Sequence, residues 1–296
     1  MNGPTAPSPW LPTAPCTPGR CAAHPHTGGD HEAAGAALAV LRLAAGTGTV
    51  LLGLLLAPGT ALLPPAARLA LVRSWVRAVV RAFGVRVRYA GDAPAAGPLL
   101  VVANHVSWLD IPLVAAVLPG RMVAKAEVRG WPVLGVLAAL GGTLFLDRDG
   151  LRALPGAVRA MTGVLGAGGR VVVFPEGSTW CGRAGGRFRP AAFQAALDGG
   201  ADVQPVRIDY RPAGAAAYVG DDPLGASLWR VVTTRRLTAE VRLPERIPAA
   251  RHPDRKSLAA AAQRAVASDS ANLPAPSVHQ RSRSRSASAS SARTPA

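Results

Sequence analysis

Apolar residues run without a charge from Leu43 to Ala67, twenty-five positions that include Val50, Leu51, Leu52, Leu54, Leu55 and Leu56. A helix needs about 20 apolar residues to cross a bilayer core, so this stretch is long enough to do so. Pro58, Pro64 and Pro65 interrupt it, each lacking a backbone donor, and Pro58 is expected to kink a helix. A re-entrant or interfacial hairpin therefore competes with a full crossing. Both fit an all-round apolar surface of this length better than a buried core helix does. After Pro65 the period changes: Arg68, Arg73, Arg77 and Arg81 recur at near-helical spacing opposite Leu69, Val72, Trp75, Val76, Val79 and Phe83. That pattern predicts an amphipathic helix in the headgroup layer, its arginines on anionic lipid and Trp75 at the interface. Arginines so close to an apolar span also place the downstream domain on the cytoplasmic face of the cytoplasmic membrane.

From Pro98 to Arg242 short apolar runs alternate with longer periodic ones. The predicted strands are Leu99–Ala103, Arg121–Ala124, Thr143–Leu146, Arg170–Phe174, Val203–Ile208 and Ala239–Leu243. Between most of them lie predicted helices at Ile111–Leu118, Pro132–Leu140, Arg152–Leu165 and Pro190–Leu197. Repeated strand, helix, strand order argues for an α/β fold, a mixed and largely parallel sheet flanked by helices. Pro205 inside its strand marks an edge or a bulge. Residues 1–32 are Pro-, Thr-, Ala- and Gly-rich and read as a disordered leader. Residues 33–90 read as membrane-anchoring helices, 91–270 as the catalytic domain and 271–296 as a disordered Arg/Ser-rich tail.

The net charge is +16, and all of the basic residues except Lys125 and Lys256 are arginine. Such a balance favours anionic partners, phospholipid headgroups among them. A membrane-tethered binder of lipid or nucleic acid is the rival from another class. Stacking aromatics interleaved with the basic residues, the mark of a nucleic-acid reader, are missing from the tail, so no nucleic-acid partner is expected. Cys16, Cys21 and Cys181 do not make a closed disulfide set. The spacing of Cys16 and Cys21 to His24, His26 and His31 matches no familiar zinc module, and no metal site is expected.

The candidate chemistry lies at strand ends. Asn104-His105-Val106-Ser107-Trp108-Leu109-Asp110 follows the first predicted strand of the domain, where open α/β sheets gather their reacting groups. Five residues apart, His105 and Asp110 do not share a helix face and can meet only if the chain turns between them. If they meet, the carboxylate holds one ring nitrogen protonated and frees the other as a base, and the nucleophile must come from a substrate such as an alcohol. Gly142-Thr143-Leu144-Phe145-Leu146-Asp147-Arg148 and Val171-Val172-Val173-Phe174-Pro175-Glu176-Gly177-Ser178-Thr179 are two further strands with polar ends, and Val203-Gln204-Pro205-Val206 is a fourth.

In these four blocks, over about residues 95–245, the chain resembles the glycerolipid acyltransferases of the 1-acyl-glycerol-3-phosphate acyltransferase type. The resemblance implies an O-acyl transfer from acyl-CoA or acyl carrier protein to the free hydroxyl of a membrane lysolipid, 1-acyl-sn-glycerol-3-phosphate in phosphatidic acid synthesis, with no metal or redox cofactor. It implies that His105 is the base and Asp110 its partner. Asp147, Arg148, Glu176, Gly177, Ser178 and Thr179 would bind the acceptor, with Lys125 near its phosphate, and Pro205 would sit in an acyl-donor or structural block. Backbone N–H groups near Gly177 would face the oxyanion. Thr179 departs from the pattern, because relatives acting on lysophosphatidate usually carry arginine there. Either Arg183, Arg187 or Arg189 substitutes from the glycine-rich loop that follows, or the acceptor is another lysolipid, such as lyso-ornithine lipid.

Overall fold

The computed structural model describes residues 13–22, 34–94, 97–147 and 151–268. Seven strands form the sheet: β1 (Arg86–Ala90), β2 (Leu99–Ala103), β3 (Arg121–Lys125), β4 (Leu144–Leu146), β5 (Arg170–Val173), β6 (Asp202–Arg211) and β7 (Thr238–Arg242). Their order is β1-β7-β6-β2-β5-β3-β4. Every neighbouring pair is parallel except β6 with β7. The mixed, mostly parallel sheet read from the sequence is the fold observed.

Eight α-helices accompany the sheet in the described residues: α1 (Ala36–Leu56), α2 (Pro65–Ala82), α3 (Asp110–Ala115), α4 (Leu134–Leu140), α5 (Leu154–Gly166), α6 (Ala191–Asp198), α7 (Leu224–Thr233) and α8 (Arg255–Ser268). Residues of β2, every one buried, point alternately to the two faces of the sheet. Leu99, Val101 and Ala103 join the core under α2, α3 and α7, with Val80, Phe83, Leu113 and Val232. Leu100 and Val102 join the core under α5, α6 and α8, with Leu165, Phe193 and Leu258. The result is a three-layer sandwich with β2 at its centre, as expected of an unbroken apolar strand in a parallel sheet.

β6 is an inner strand, so Pro205 does not mark an edge. On the β2 side Pro205 pairs with Val102. On the other side the β7 ladder covers only Arg207–Arg211, and contact resumes at the Val203–Ile247 bridge. Pro205 sits in that lapse, where a missing N–H breaks no ladder bond.

The apolar N-terminal run is helical from Ala36 to Leu62, 27 residues whose most apolar 18-residue stretch has mean hydropathy 1.8. It is mostly exposed and is therefore no core helix. α1 and α2 fold back on each other across Gly46 and Gly53, which admit the rings of Phe83 and Trp75 where any Cβ would clash. Trp75 Nε1 donates to the Thr49 carbonyl (2.9 Å), so this indole lies within the hairpin and not at a free interface. Both ends of the hairpin rest on the domain. Arg42 donates to the carbonyls of Val232 (2.9 Å) and Thr234 (3.0 Å) at the end of α7, while Phe83 and Val85 are buried. Arg73 and Arg77 donate to the carbonyls of Val117 and Ala116 at the end of α3, and Arg68, Arg77 and Arg81 are exposed. The start of α1 docks against α7, so both ends of the hairpin meet the domain.

Residues 13–22 of the expected leader are ordered, with Cys16 and Cys21 buried against the domain. Two cysteines in a Pro- and Gly-rich segment gave no periodic apolar signal, yet they supply enough apolar contact to seat it. His24, His26, His31 and the tail from residue 271 lie outside the described residues.

Candidate active site

His105 lies in the loop that leaves β2, and Asp110 opens α3. The chain turns between them and brings His105 Nδ1 to 2.8 Å from Asp110 Oδ2. Asp110 is fully buried and accepts from every side. Oδ2 also receives the backbone N–H of Val106 (2.7 Å) and Ser107 (2.8 Å), and Oδ1 receives the Tyr210 hydroxyl (2.6 Å). A carboxylate saturated by donors leaves Nδ1 as the protonated ring nitrogen and Nε2 as an acceptor. His105 keeps 20% of its side chain accessible while Asp110 keeps none, so the imidazole is the member of the pair that a substrate can reach.

The loop is pinned on all sides. Asn104 clamps β6 through two bonds of 2.8 Å, its amide donating to the Ile208 carbonyl and accepting the Ile208 N–H. The Trp180 N–H donates to the His105 carbonyl (2.7 Å), and the Tyr218 N–H to the Val106 carbonyl (2.9 Å). Phe174 stacks on the imidazole with ring centres 4.1 Å apart. Trp108 reaches back to the hairpin, edge-on to Phe83 at 5.6 Å, and donates to Ser227 Oγ on α7.

Glu176 is buried beside this pair and acts on the backbone. Oε2 accepts the N–H of His105 and Oε1 that of Gly186, both at 3.0 Å. It thus fastens the loop after β5 to the loop after β2. Burial pushes its carboxyl up to about 8, against the pull of those two N–H groups. Gly177, at φ 77°, takes a conformation suited to glycine, and its N–H donates to the Phe174 carbonyl (3.1 Å). Ser178 Oγ is buried with no hydrogen-bond partner among the described residues. An unpaired buried hydroxyl costs about 1–3 kcal/mol, so this group is one a ligand would satisfy. Thr179 is half-buried next to it.

Lys125 ends β3 and Asp147 follows β4 on the same end of the sheet, both exposed. Their strands lie two and three places from β2. At about 4.8 Å per strand these residues border the site without touching His105. Arg148 lies outside the described residues. Of the loop arginines that could replace an arginine at Thr179, Arg183 donates to the Cys21 carbonyl (3.4 Å), and Arg187 and Arg189 are exposed. A cavity of about 290 Å³ opens between β3, β4 and α5, lined by Val123, Leu144, Phe145, Ala160 and Met161 among others.

Sequence reasoning missed Tyr210. It lies a hundred residues from Asp110 at the far end of a strand, and only the β2–β6 register places its hydroxyl on the carboxylate. Burial, and then the Asp110 carboxylate, keep this phenol protonated far above its usual range, so it remains a donor.

Comparison with known proteins agrees with this arrangement. The Acyltransferase family model matches residues 84–209, from the end of the hairpin into β6. A lyso-ornithine lipid O-acyltransferase of Pseudomonas aeruginosa is 39% identical over 241 residues, covering 77% of this chain and 91% of that one. A 1-acyl-sn-glycerol-3-phosphate acyltransferase of Neisseria meningitidis is 35% identical over 206 residues, covering 67% and 80%. The crystal structure of the 1-acyl-sn-glycerophosphate acyltransferase of Thermotoga maritima has the same fold, with a TM-score of 0.65 at 21% identity over 81% of this chain and 96% of that one. An α/β sandwich with a buried aspartate orienting a reachable histidine, matched over nearly the full length of such relatives, makes the chain a member of the acyltransferase family, an enzyme of the lysophospholipid acyltransferase type.

Proposed function

We propose that the enzyme transfers an acyl group from a thioester, acyl-CoA or acyl carrier protein, to the free hydroxyl of a membrane lysolipid. The observation that carries this reading is the 2.8 Å contact between His105 Nδ1 and a fully buried Asp110. His105 Nε2 removes the hydroxyl proton as the alcohol oxygen attacks the thioester carbon. Asp110 stabilises the imidazolium, which then returns the proton to the departing thiolate. General-base help of this kind is worth about 10²- to 10⁴-fold. Ser178 Oγ, buried and unpartnered, is available as a donor to the acceptor or the tetrahedral oxyanion.

The acceptor favoured first is lyso-ornithine lipid, and lysophosphatidate is the second reading. Thr179 cannot grip a phosphomonoester with a guanidinium fork, and Arg183, the half-buried loop arginine, is turned towards Cys21. The 39% identical relative carries the matching name. Lys125 remains the cation at the sheet end that would favour a phosphate.

The α1–α2 hairpin supports an origin of the acceptor in the membrane, because its Phe83 abuts Trp108 of the catalytic loop while Leu55, Leu56 and Leu62 project exposed at its tip. On this reading the tip dips into one leaflet and both hairpin ends stay with the domain, which faces the cytoplasm.

Purified enzyme in detergent, given one labelled acyl-CoA and a panel of lysolipids, tests the assignment. Turnover of lyso-ornithine lipid above lysophosphatidate is expected. Preference for lysophosphatidate selects the second reading, and transfer to no lysolipid refutes both.

A further inference from the structure

The three cysteines of the chain form a cluster that the transfer reaction does not use. Cys16, Cys21 and Cys181 are all thiols, are all buried, and have sulfur atoms within 4.8 Å of one another. They come from two distant segments. Cys16 precedes the short π-helix Pro18–Ala22, which carries Cys21, and Cys181 follows Trp180 in the loop behind the catalytic histidine. The backbone is shaped to admit the first segment. Gly214 lies under the Cys21 carbonyl, where a Cβ would come within 2.7 Å, and Gly220 lies under the Cys16 carbonyl.

Three sulfurs around one point are a ligand set. Zinc–thiolate bonds of about 2.3 Å place tetrahedral sulfurs about 3.8 Å apart, so binding would draw the observed cluster together by no more than about an ångström per pair. Thiolate donors select soft cations, Zn²⁺ and Cu⁺, over Mg²⁺, Ca²⁺ or Mn²⁺. Three donors complete a trigonal Cu⁺ site and would leave Zn²⁺ one position for water.

We propose that Cys16, Cys21 and Cys181 form a structural site for one soft thiophilic cation, Cu⁺ or Zn²⁺, which fastens the N-terminal segment to the loop carrying Trp180. Each metal–sulfur bond replaces an S–H bond, the proton passes to solvent, and nothing is oxidised or reduced. Because the Trp180 N–H holds the His105 carbonyl, the cation braces the catalytic loop from behind without touching substrate.

The full chain, purified in detergent under reducing conditions and stripped by chelator, is titrated with Zn²⁺ alone and with Cu⁺ alone. Bound metal is read by elemental mass spectrometry after gel filtration. One equivalent of either cation is expected, and Cys181→Ala should weaken retention at least tenfold. Wild-type protein that keeps neither cation would overturn the proposal. So would undiminished retention in Cys181→Ala, or an intact mass lacking two hydrogens, the mark of a disulfide. The wild-type titration needs no variant to fold.

Discussion

Asp110 accepts from four donors, two of them side chains, His105 and Tyr210, that substitution can remove separately. Tyr210→Phe deletes the 2.6 Å phenol bond to Oδ1 and leaves the ring in place. A hydrogen bond to a charged group is worth about 1.5–3 kcal/mol. With the other donors compensating in part, kcat should fall by about tenfold, KM should hardly move, and the acid limb of the pH–rate profile should shift. A variant whose profile and kcat match the wild type would show that Tyr210 is packing alone. Glu176 makes a second prediction. Burial holds its carboxyl proton up to about 8, whereas the unfolded chain loses that proton near 4.5. Between those values the folded state binds more protons than the unfolded one, so stability falls as pH rises. Thermal unfolding of Glu176→Gln from pH 5 to 8 should show a flatter dependence than the wild type; parallel curves would contradict the raised value. At this scale the His105–Asp110 pair was legible because five residues after a β-strand end leave room for one turn. Tyr210 was not, because its role depends on strand register and on no local spacing. The carboxylate of Glu176 was visible, but its attachment to the backbone of His105 and Gly186 required the fold.

Among the elements, those built on unbroken apolar runs were readable, and β2 and β5 match their predicted starts. β1 was not, because Arg86-Val87-Arg88-Tyr89-Ala90 alternates with arginine at a sheet edge and its parallel partner β7 is 152 residues away. α7 and α8 were not read as helices, because Gly225, Ser227 and Arg230 interrupt the apolar residues of α7 and a run of small alanines makes up most of the apolar part of α8. The α1–α2 hairpin was readable as an apolar unit, yet its closure depends on Gly46 and Gly53 meeting Phe83 and Trp75. If the tip enters a leaflet, Leu55→Glu with Leu62→Glu should abolish that insertion. Each leucine contributes about 1.5–3 kcal/mol when buried, so partition into anionic liposomes should drop at least tenfold in a flotation assay while the far-ultraviolet spectrum is unchanged. Undiminished flotation would remove the tip from the membrane contact.

Over the whole molecule, the parallel sheet brings four strand ends to one edge, the hairpin flanks the loop with the reachable histidine, and an N-terminal strap closes over the loop behind it. The α/β class, and the sheet end at which His105 meets Asp110, followed from the order of apolar runs. The strap did not, because ten residues without periodicity become ordered through contacts made 160 positions later. The central claim is that a lipid alcohol becomes nucleophilic on the imidazole held by Asp110. It is tested most directly by single-turnover transfer from labelled acyl-CoA to lysolipid with His105→Ala, in protein shown to fold and to bind lipid like the wild type. A loss of at least a hundredfold in the chemical step is predicted; transfer at the wild-type rate would contradict the account.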